Sequence, residues 1–182
     1  MKNLLNLSVI AVLTLLLSGC ADFNKLEKVT VNNQYTVELP GFLSETNDLN
    51  DEASLQYQNL FKEFYIIILD EVKEDVHGAI IENDLLDFYS LDIDGYSDLL
   101  IDGVISEMNE DAESERKEVH INNRKANLMY LSGNIEDLDI YYEFGFIEGK
   151  DHYYQIMVWT LEKNRTKYQE GMDKIVKSFR EL

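Results

Sequence analysis

Apolar side chains follow two rhythms along this chain, one of period two and one of period 3.6, and together they mark out its elements. Residues 34–39 (QYTVEL) alternate polar and apolar and stop at Pro40-Gly41, which predicts a strand followed by a turn. Residues 52–58 alternate again, with Leu55 and Tyr57 on one side. Residues 64–69 (FYIIIL) break the alternation, being apolar at every position and β-branched in the middle. A strand apolar on both faces is covered on both faces, so this run predicts a sheet held between two layers.

Helical spacing takes over in the middle of the chain. Ile101, Val104, Ile105 and Met108 recur at i, i+3, i+4 and i+7, with Ser97 and Asp98 expected as cap and first turn. Leu85, Phe88 and Tyr89 predict a short helix before it. After an acidic loop come three expected strands, 116–121, 125–131 and 139–147, with Asn122-Asn123 a tight turn between the first two. Residues 148–151 turn the chain into a fourth strand, 152–160. On the 139–147 strand Tyr142, Phe144 and Phe146 share one face and Tyr141 lies on the other. The closing element is an amphipathic helix: Tyr168, Met172, Ile175, Val176 and Phe179 form one stripe. Thr166 and Gln169 stand at capping-box spacing, and Lys174, Lys177 and Arg180 suit the negative end of its dipole. The expected fold class is α+β, a mostly antiparallel sheet sandwiched between helices, forming a single domain over residues 29–182.

The first twenty residues (MKNLLNLSVIAVLTLLLSGC) obey neither rhythm. Lys2 precedes an almost unbroken apolar run over residues 7–17, shorter than the roughly 18–20 residues of a membrane-spanning helix. Small residues close it, as at the end of a cleavable secretory signal, here residues 1–19. Leu17-Ser18-Gly19-Cys20 resembles the lipobox of bacterial lipoproteins. The resemblance implies cleavage before Cys20 and diacylglyceration of its thiol, so that the mature protein is held to a membrane by lipid on Cys20. Two or three acyl chains anchor stably where one binds only marginally. In enterobacterial lipoproteins an Asp directly after the cysteine favours the inner membrane; the residue here is Ala21, with Asp22 one further on, which favours the outer membrane if the host has one. Residues 20–28 are expected to be the lipidated cysteine and a short tether, which keeps the domain close to its membrane.

Composition changes this picture mainly by exclusion. The 182 residues carry 16 Lys and Arg against 35 Asp and Glu, a formal charge of −19. Phosphate binding needs a basic surface, so no nucleic-acid partner is expected. Loss of residues 1–19 would remove one base and no acid, giving about −20, and no basic amphipathic segment suggests a second membrane contact. The single Cys excludes an internal disulfide and any multi-cysteine zinc site.

Candidate chemistry is sparse. Asp92, Asp94, Gly95 and Asp98 superficially match a calcium loop, but Gly95 falls at the fourth position where the EF-hand pattern needs it at the sixth. A solvated loop capping the following helix is the expectation. His77, His120 and His152 show no metal-ligand spacing, although His120 and His152, both on expected strands, could approach in space. Neither a nucleophile-elbow motif nor a glycine-rich phosphate loop occurs, and no cofactor is expected. The acidic pairs Asp70/Glu71 and Glu136/Asp137 would point to opposite faces of a strand and are poor candidates for paired carboxylates.

The order of strand pair, buried strand, helical middle, antiparallel strands and closing helix resembles the PsbP-like fold. Photosystem extrinsic proteins, Ran nucleotide-release factors and many small bacterial lipoproteins share that fold. Tyr35-Thr36-Val37-Glu38-Leu39-Pro40 resembles its opening strand and proline. Leu86-Asp87-Phe88-Tyr89-Ser90 resembles its Leu/Tyr segment before the main helix. Tyr153-Tyr154-Gln155-Ile156, with Ile175-Val176-Lys177-Ser178-Phe179, resembles its final strand and helix. Gly41-Phe42 stands where that family often has Gly-Trp. No catalytic motif comes with this fold, so the resemblance implies a non-enzymatic binding or accessory role in the cell envelope with a protein partner. The alternatives are a small envelope enzyme whose carboxylates assemble in three dimensions, and an acidic ion-binding module.

Overall fold

The FYIIIL run is the third strand of a seven-stranded antiparallel sheet. A computed structural model of the chain describes residue 23 and residues 25–108 and 112–182. The large sheet has the order β3-β4-β5-β9-β8-β7-β6, with β3 Ser44–Glu45, β4 Leu55–Asn59, β5 Phe64–Val72, β6 Glu113–Ile121, β7 Arg124–Ile135, β8 Leu138–Glu148 and β9 His152–Leu161. A small sheet, β1-β2-β10, joins β1 Leu26–Val31 and β2 Tyr35–Pro40 to the C-terminal β10 Arg180–Glu181. The helices are α1 Lys73–Glu82, α2 Ile93–Ser106 and α3 Arg165–Ser178. The expected α+β class and the antiparallel sandwich hold.

Alternation along β8 and β9 sorts the core into two layers. Tyr141 and Ile147 face α3 and the small sheet, together with Phe64, Ile66, Ile68, Met172, Ile175 and Phe179. Tyr142, Phe144 and Phe146 face α1 and α2, together with Val76, Ile80, Ile93, Tyr96 and Ile101. Each such side chain contributes about 1.5–3 kcal/mol by leaving water. Phe179 lies one residue past the end of α3 yet completes its stripe, stacking on Tyr35 at 5.4 Å between ring centroids.

Three hairpins turn on paired residues with positive φ: Asn32-Asn33, Asn122-Asn123 and Glu136-Asp137. Such turns match the twist of the flanking strands, and asparagine tolerates the left-handed region best. Asn122-Asn123 is the turn expected from the sequence. Glu136 and Asp137 are turn residues, so the strand geometry expected of that pair does not apply.

Several local expectations are corrected. The turn over Leu85–Tyr89 is no helix: the amides of Phe88 and Tyr89 both donate to the Leu85 carbonyl at 3.0 Å. The helix of that region is α1, hidden in the sequence because only Val76 and Ile80 are buried and no side chain caps it. α2 begins four residues before Ser97, capped by Asp92, whose Oδ1 accepts from the amides of Asp94 (3.0 Å) and Gly95 (3.1 Å). Ser97 is buried within the helix and donates to the Asp94 carbonyl. α3 has no capping box; a 3-10 turn, Glu162–Asn164, leads into it and Asn164 makes no side-chain cap bond. β1 opens at Leu26, ahead of Val29, and Phe23 already packs on the core, so the segment expected as a tether is partly inside the domain.

Gly145 of β8 lets α3 approach the sheet: a Cβ there would overlap Cγ1 of Val176. Gly145→Ala is expected to destabilise the domain by about 1–3 kcal/mol through overpacking. Urea denaturation would read this as a lower midpoint at unchanged slope.

Candidate functional site

Apolar surface left in water is concentrated in one stretch of the chain. Nine large hydrophobic residues are exposed among the described residues, and five of them, Val72, Ile81, Leu86, Phe88 and Leu91, lie on or beside α1 and on the connection to α2. The cause is local. α1 buries two side chains only, and the turn after it anchors Leu85 inward while presenting Phe88, 76% exposed, outward. The Tyr89 hydroxyl donates to Asp102 of α2 at 2.9 Å and holds that turn in place.

Where α1 begins, an open cavity of about 720 Å³ is lined by Lys73, His77, Ile81, Lys150 and Asp151 among others. The Lys73 amide donates to the Asp151 carbonyl at 3.1 Å, which ties α1 to the β8–β9 turn. Lys73 Nζ donates to Glu148 at 3.1 Å and lies 5.1 Å from the Tyr153 ring centroid. The His77 ring nitrogen Nε2 and the Tyr153 hydroxyl are 3.0 Å apart. Behind them Tyr153 stacks on Tyr96 at 4.6 Å, and the Tyr96 hydroxyl donates to Glu71 at 2.6 Å. Burial pushes the Tyr153 phenol up to about 12 and raises that of Tyr96 well above its ordinary range. Both stay protonated at neutral pH, and Tyr96 donates to Glu71. The cavity therefore combines two ammonium groups, an imidazole, the carboxylates of Glu74 and Asp151, and apolar walls from Val72 and Ile81. That set suits a protein segment with apolar side chains and carbonyl or carboxylate groups.

The residues singled out in the sequence fall elsewhere. Both Asp94 oxygens already hold donors: Oδ1 accepts from Arg116 (2.6 Å) and Asn127 (2.9 Å), and Oδ2 from Lys125 (3.1 Å). Asn127 foremost, with Lys125 and Arg116, holds its carboxyl below the usual range. Arg116 also reaches Asp98 at 2.7 Å, so residues 93–98, expected as a solvated loop, are instead the first turns of α2 and are tied to β6 and β7. His120 and His152 do not approach each other: they lie on strands separated by β7 and β8, about 14 Å apart at ordinary strand spacing. Cys20 and the apolar run before it lie outside the described residues.

No protein-family model matches the chain, and no curated protein matches it in sequence. Solved structures do. The solution structure of cyanobacterial PsbP (CyanoP) from Synechocystis sp. PCC 6803 aligns with a TM-score of 0.55 at 8% identity, covering 86% of this chain and 92% of that one. The Ran-binding protein Mog1p of Saccharomyces cerevisiae aligns with a TM-score of 0.55 at 11% identity, covering 86% and 95%. The fold is PsbP/Mog1-like. At these identities the likeness extends to the fold alone.

One strand of this PsbP-like fold holds a residue that the sequence pattern did not single out. Glu143, inside the apolar run of β8, is 0% exposed and faces α3, opposite Tyr130 of β7 and Val158 of β9. Neither carboxyl oxygen has a hydrogen-bond partner. A charged residue at the centre of YYEFGFI was the available signal. Burial, and then the charge of Asp173 on α3, raise this carboxyl to about 8 against the opposing pull of Lys177 and Lys117. It is a neutral acid in the native protein at neutral pH.

This raised value makes stability depend on pH. The unfolded chain loses the proton near pH 4.5 and the native protein only near pH 8, so stability falls as pH rises through that window. Glu143→Gln removes the effect. The variant should match the wild type near pH 4.5 and be more stable at pH 9 by up to about 5 kcal/mol, because each pH step of one between 4.5 and about 8 contributes about 1.36 kcal/mol. Denaturation curves at the two pH values check this; an equal difference at both would refute it.

Proposed function

We propose that this chain is a bacterial lipoprotein, anchored through acyl chains on Cys20, and that its PsbP-like domain is a non-catalytic binding or accessory module of the cell envelope. Leu17-Ser18-Gly19-Cys20, set directly behind an apolar run, supports the anchor. Ala21 after the cysteine favours the outer membrane where the host has one. The concentration of exposed apolar side chains on α1 and its following turn is the observation that carries the binding role. Val72 and Ile81 line the cavity beside Lys73, His77 and Lys150, and apolar surface rimmed by polar groups is characteristic of protein contacts. Mog1p is a Ran-binding protein, which is consistent with a protein-binding use of the fold. The partner fitting this surface supplies apolar side chains and acceptor groups to meet Lys73, His77 and Lys150.

Cys20→Ala should leave the protein at its precursor mass or release it from the membrane, as read by fractionation and mass spectrometry. Membrane fractionation of that variant at the mature mass would overturn the lipoprotein reading.

The double variant Ile81→Ser and Phe88→Ser should lose crosslinks to the partner in native membranes while changing stability by no more than about 0.5 kcal/mol, as expected of exposed positions. Undiminished crosslinking would move the partner surface elsewhere.

A further inference from the structure

The two most exposed neighbouring apolar side chains lie away from α1, at the tip of the β4–β5 hairpin: Leu60 is 65% exposed and Phe61 fully so. This tip is rigidly built. The Lys62 amide donates to Asn59 Oδ1 at 2.9 Å, and Asn59 Nδ2 donates to the Phe42 carbonyl at 2.7 Å. Glu63 takes φ 52°. Its carbonyl accepts from Thr160 (2.7 Å), and its carboxylate accepts from Lys163 and Asn164. A hairpin so firmly tied presents Leu60 and Phe61 to solvent as a fixed wedge.

The wedge stands beside the place where the chain enters the fold. The Phe23 ring lies 5.4 Å from Phe42, 5.7 Å from Phe64 and 6.0 Å from Tyr168. A Cβ on Gly171 of α3 would overlap the Phe23 ring, so the ring lies directly on the helix backbone. Phe42 links the two features, because Lys62 of the tip sits 5.2 Å over its ring. Phe23 follows Cys20 by three positions, a reach of at most about 11 Å.

Charge at this end is mixed. Lys25, Lys62, Lys163 and Lys167 gather here on a chain of −19. Lys25 pairs with Glu27 at 3.1 Å and Lys163 with Glu63 at 3.0 Å, while Lys62 and Lys167 lie over Phe42 and Tyr168. The β7–β8 hairpin, at the same end of the sheet, supplies acids: Leu138 is exposed between Asp137 and Asp139.

We propose that Phe61 and Leu60 insert into the bilayer that holds the acyl chains of Cys20, as a second membrane contact that fixes how the domain stands. The proposal rests on the lipoprotein reading above and reverses the expectation of a single attachment. Two apolar side chains would bind a membrane weakly by themselves. A tether of three residues makes their insertion intramolecular, at an effective concentration that short linkers raise to the millimolar range. The acidic β7–β8 tip, by contrast, is repelled from an anionic lipid surface.

The test uses the full-length protein, processed and acylated, in vesicles of phosphatidylethanolamine and phosphatidylglycerol with brominated acyl chains. Tryptophan reporters are placed by Phe61→Trp and, as a control, Leu138→Trp, with the emission of native Trp159 subtracted. Insertion to about 5–10 Å should quench roughly half or more of the emission added by Phe61→Trp and roughly a tenth or less of that added by Leu138→Trp. Intact mass reads acylation of Cys20 independently. If Phe61→Trp escapes quenching in acylated protein, or both reporters are quenched alike, the insertion is refuted and the lipoprotein reading stands. If Cys20 carries no acyl chain, the lipoprotein reading fails and the tethered contact falls with it.

Discussion

A sheet that is apolar on both sides must be covered on both sides, and most of this fold follows from that requirement. β5 carries Phe64, Ile66 and Ile68 toward α3 and the small sheet, while Tyr142, Phe144, Phe146 and Tyr153 of the neighbouring strands face α1 and α2. One helix cannot cover a seven-stranded face, so α3 shares its side with β1 and β2, whose Tyr35, Val37 and Leu39 are buried. α3 can lie close because Gly145 offers no side chain beneath Val176. The C-terminal strand β10 then pairs with β2, and Glu181 accepts from the Lys150 amide and pairs with Arg124, closing the covered face at its far edge.

The strands also give the molecule two distinct ends. β5 runs from Phe64, beside the β4–β5 tip and Phe23, to Val72 at the start of α1, a span of about 26 Å at 3.3 Å per residue. At one end lie the chain's entry into the fold, an aromatic cluster and the β4–β5 and β7–β8 tips. The other holds the cavity around Lys73, His77 and Lys150. A domain held to a membrane at the first end presents the second away from it. The −19 charge fits such a polarity, since repulsion from an anionic surface is screened over about 8 Å and opposes any arrangement that lays the acidic flanks flat.

The sequence made legible what depends on periodicity. Both buried layers of β8 follow from alternation, and the α3 stripe from its spacing. Features set by contacts between distant segments left no local trace. α1 has too few buried positions for its stripe to show, and its stability comes from the sheet that receives Val76 and Ile80. The start of α2 was misplaced because Ser97 and Asp92 are equally good caps by residue type. Asp92 wins because Gly95 must fit against the Ser90 backbone, where a Cβ would overlap the carbonyl oxygen. Glu143 is readable, since a lone acid in a run such as YYEFGFI has no solvent face to occupy, yet its consequence depends first on burial beneath α3 and then on Asp173, thirty residues away.

The two exposed apolar surfaces were invisible for a further reason. Phe61 and Phe64 are the same residue type three positions apart, one wholly exposed and one wholly buried. Hydropathy gives them equal weight, and no period separates them, because the tight turn between them follows neither rhythm. What separates them is the bond from Asn59 to the Phe42 carbonyl and that from Thr160 to the Glu63 carbonyl, which orient the turn from two other parts of the chain. The same holds for Leu85 and Phe88, one turned inward and one outward by the hydrogen bonds of a single short turn. Exposure at a turn is decided by tertiary geometry, so a binding surface built from turn residues is written in the sequence as ordinary core residues. It becomes recognisable only once the fold shows that nothing among the described residues covers them.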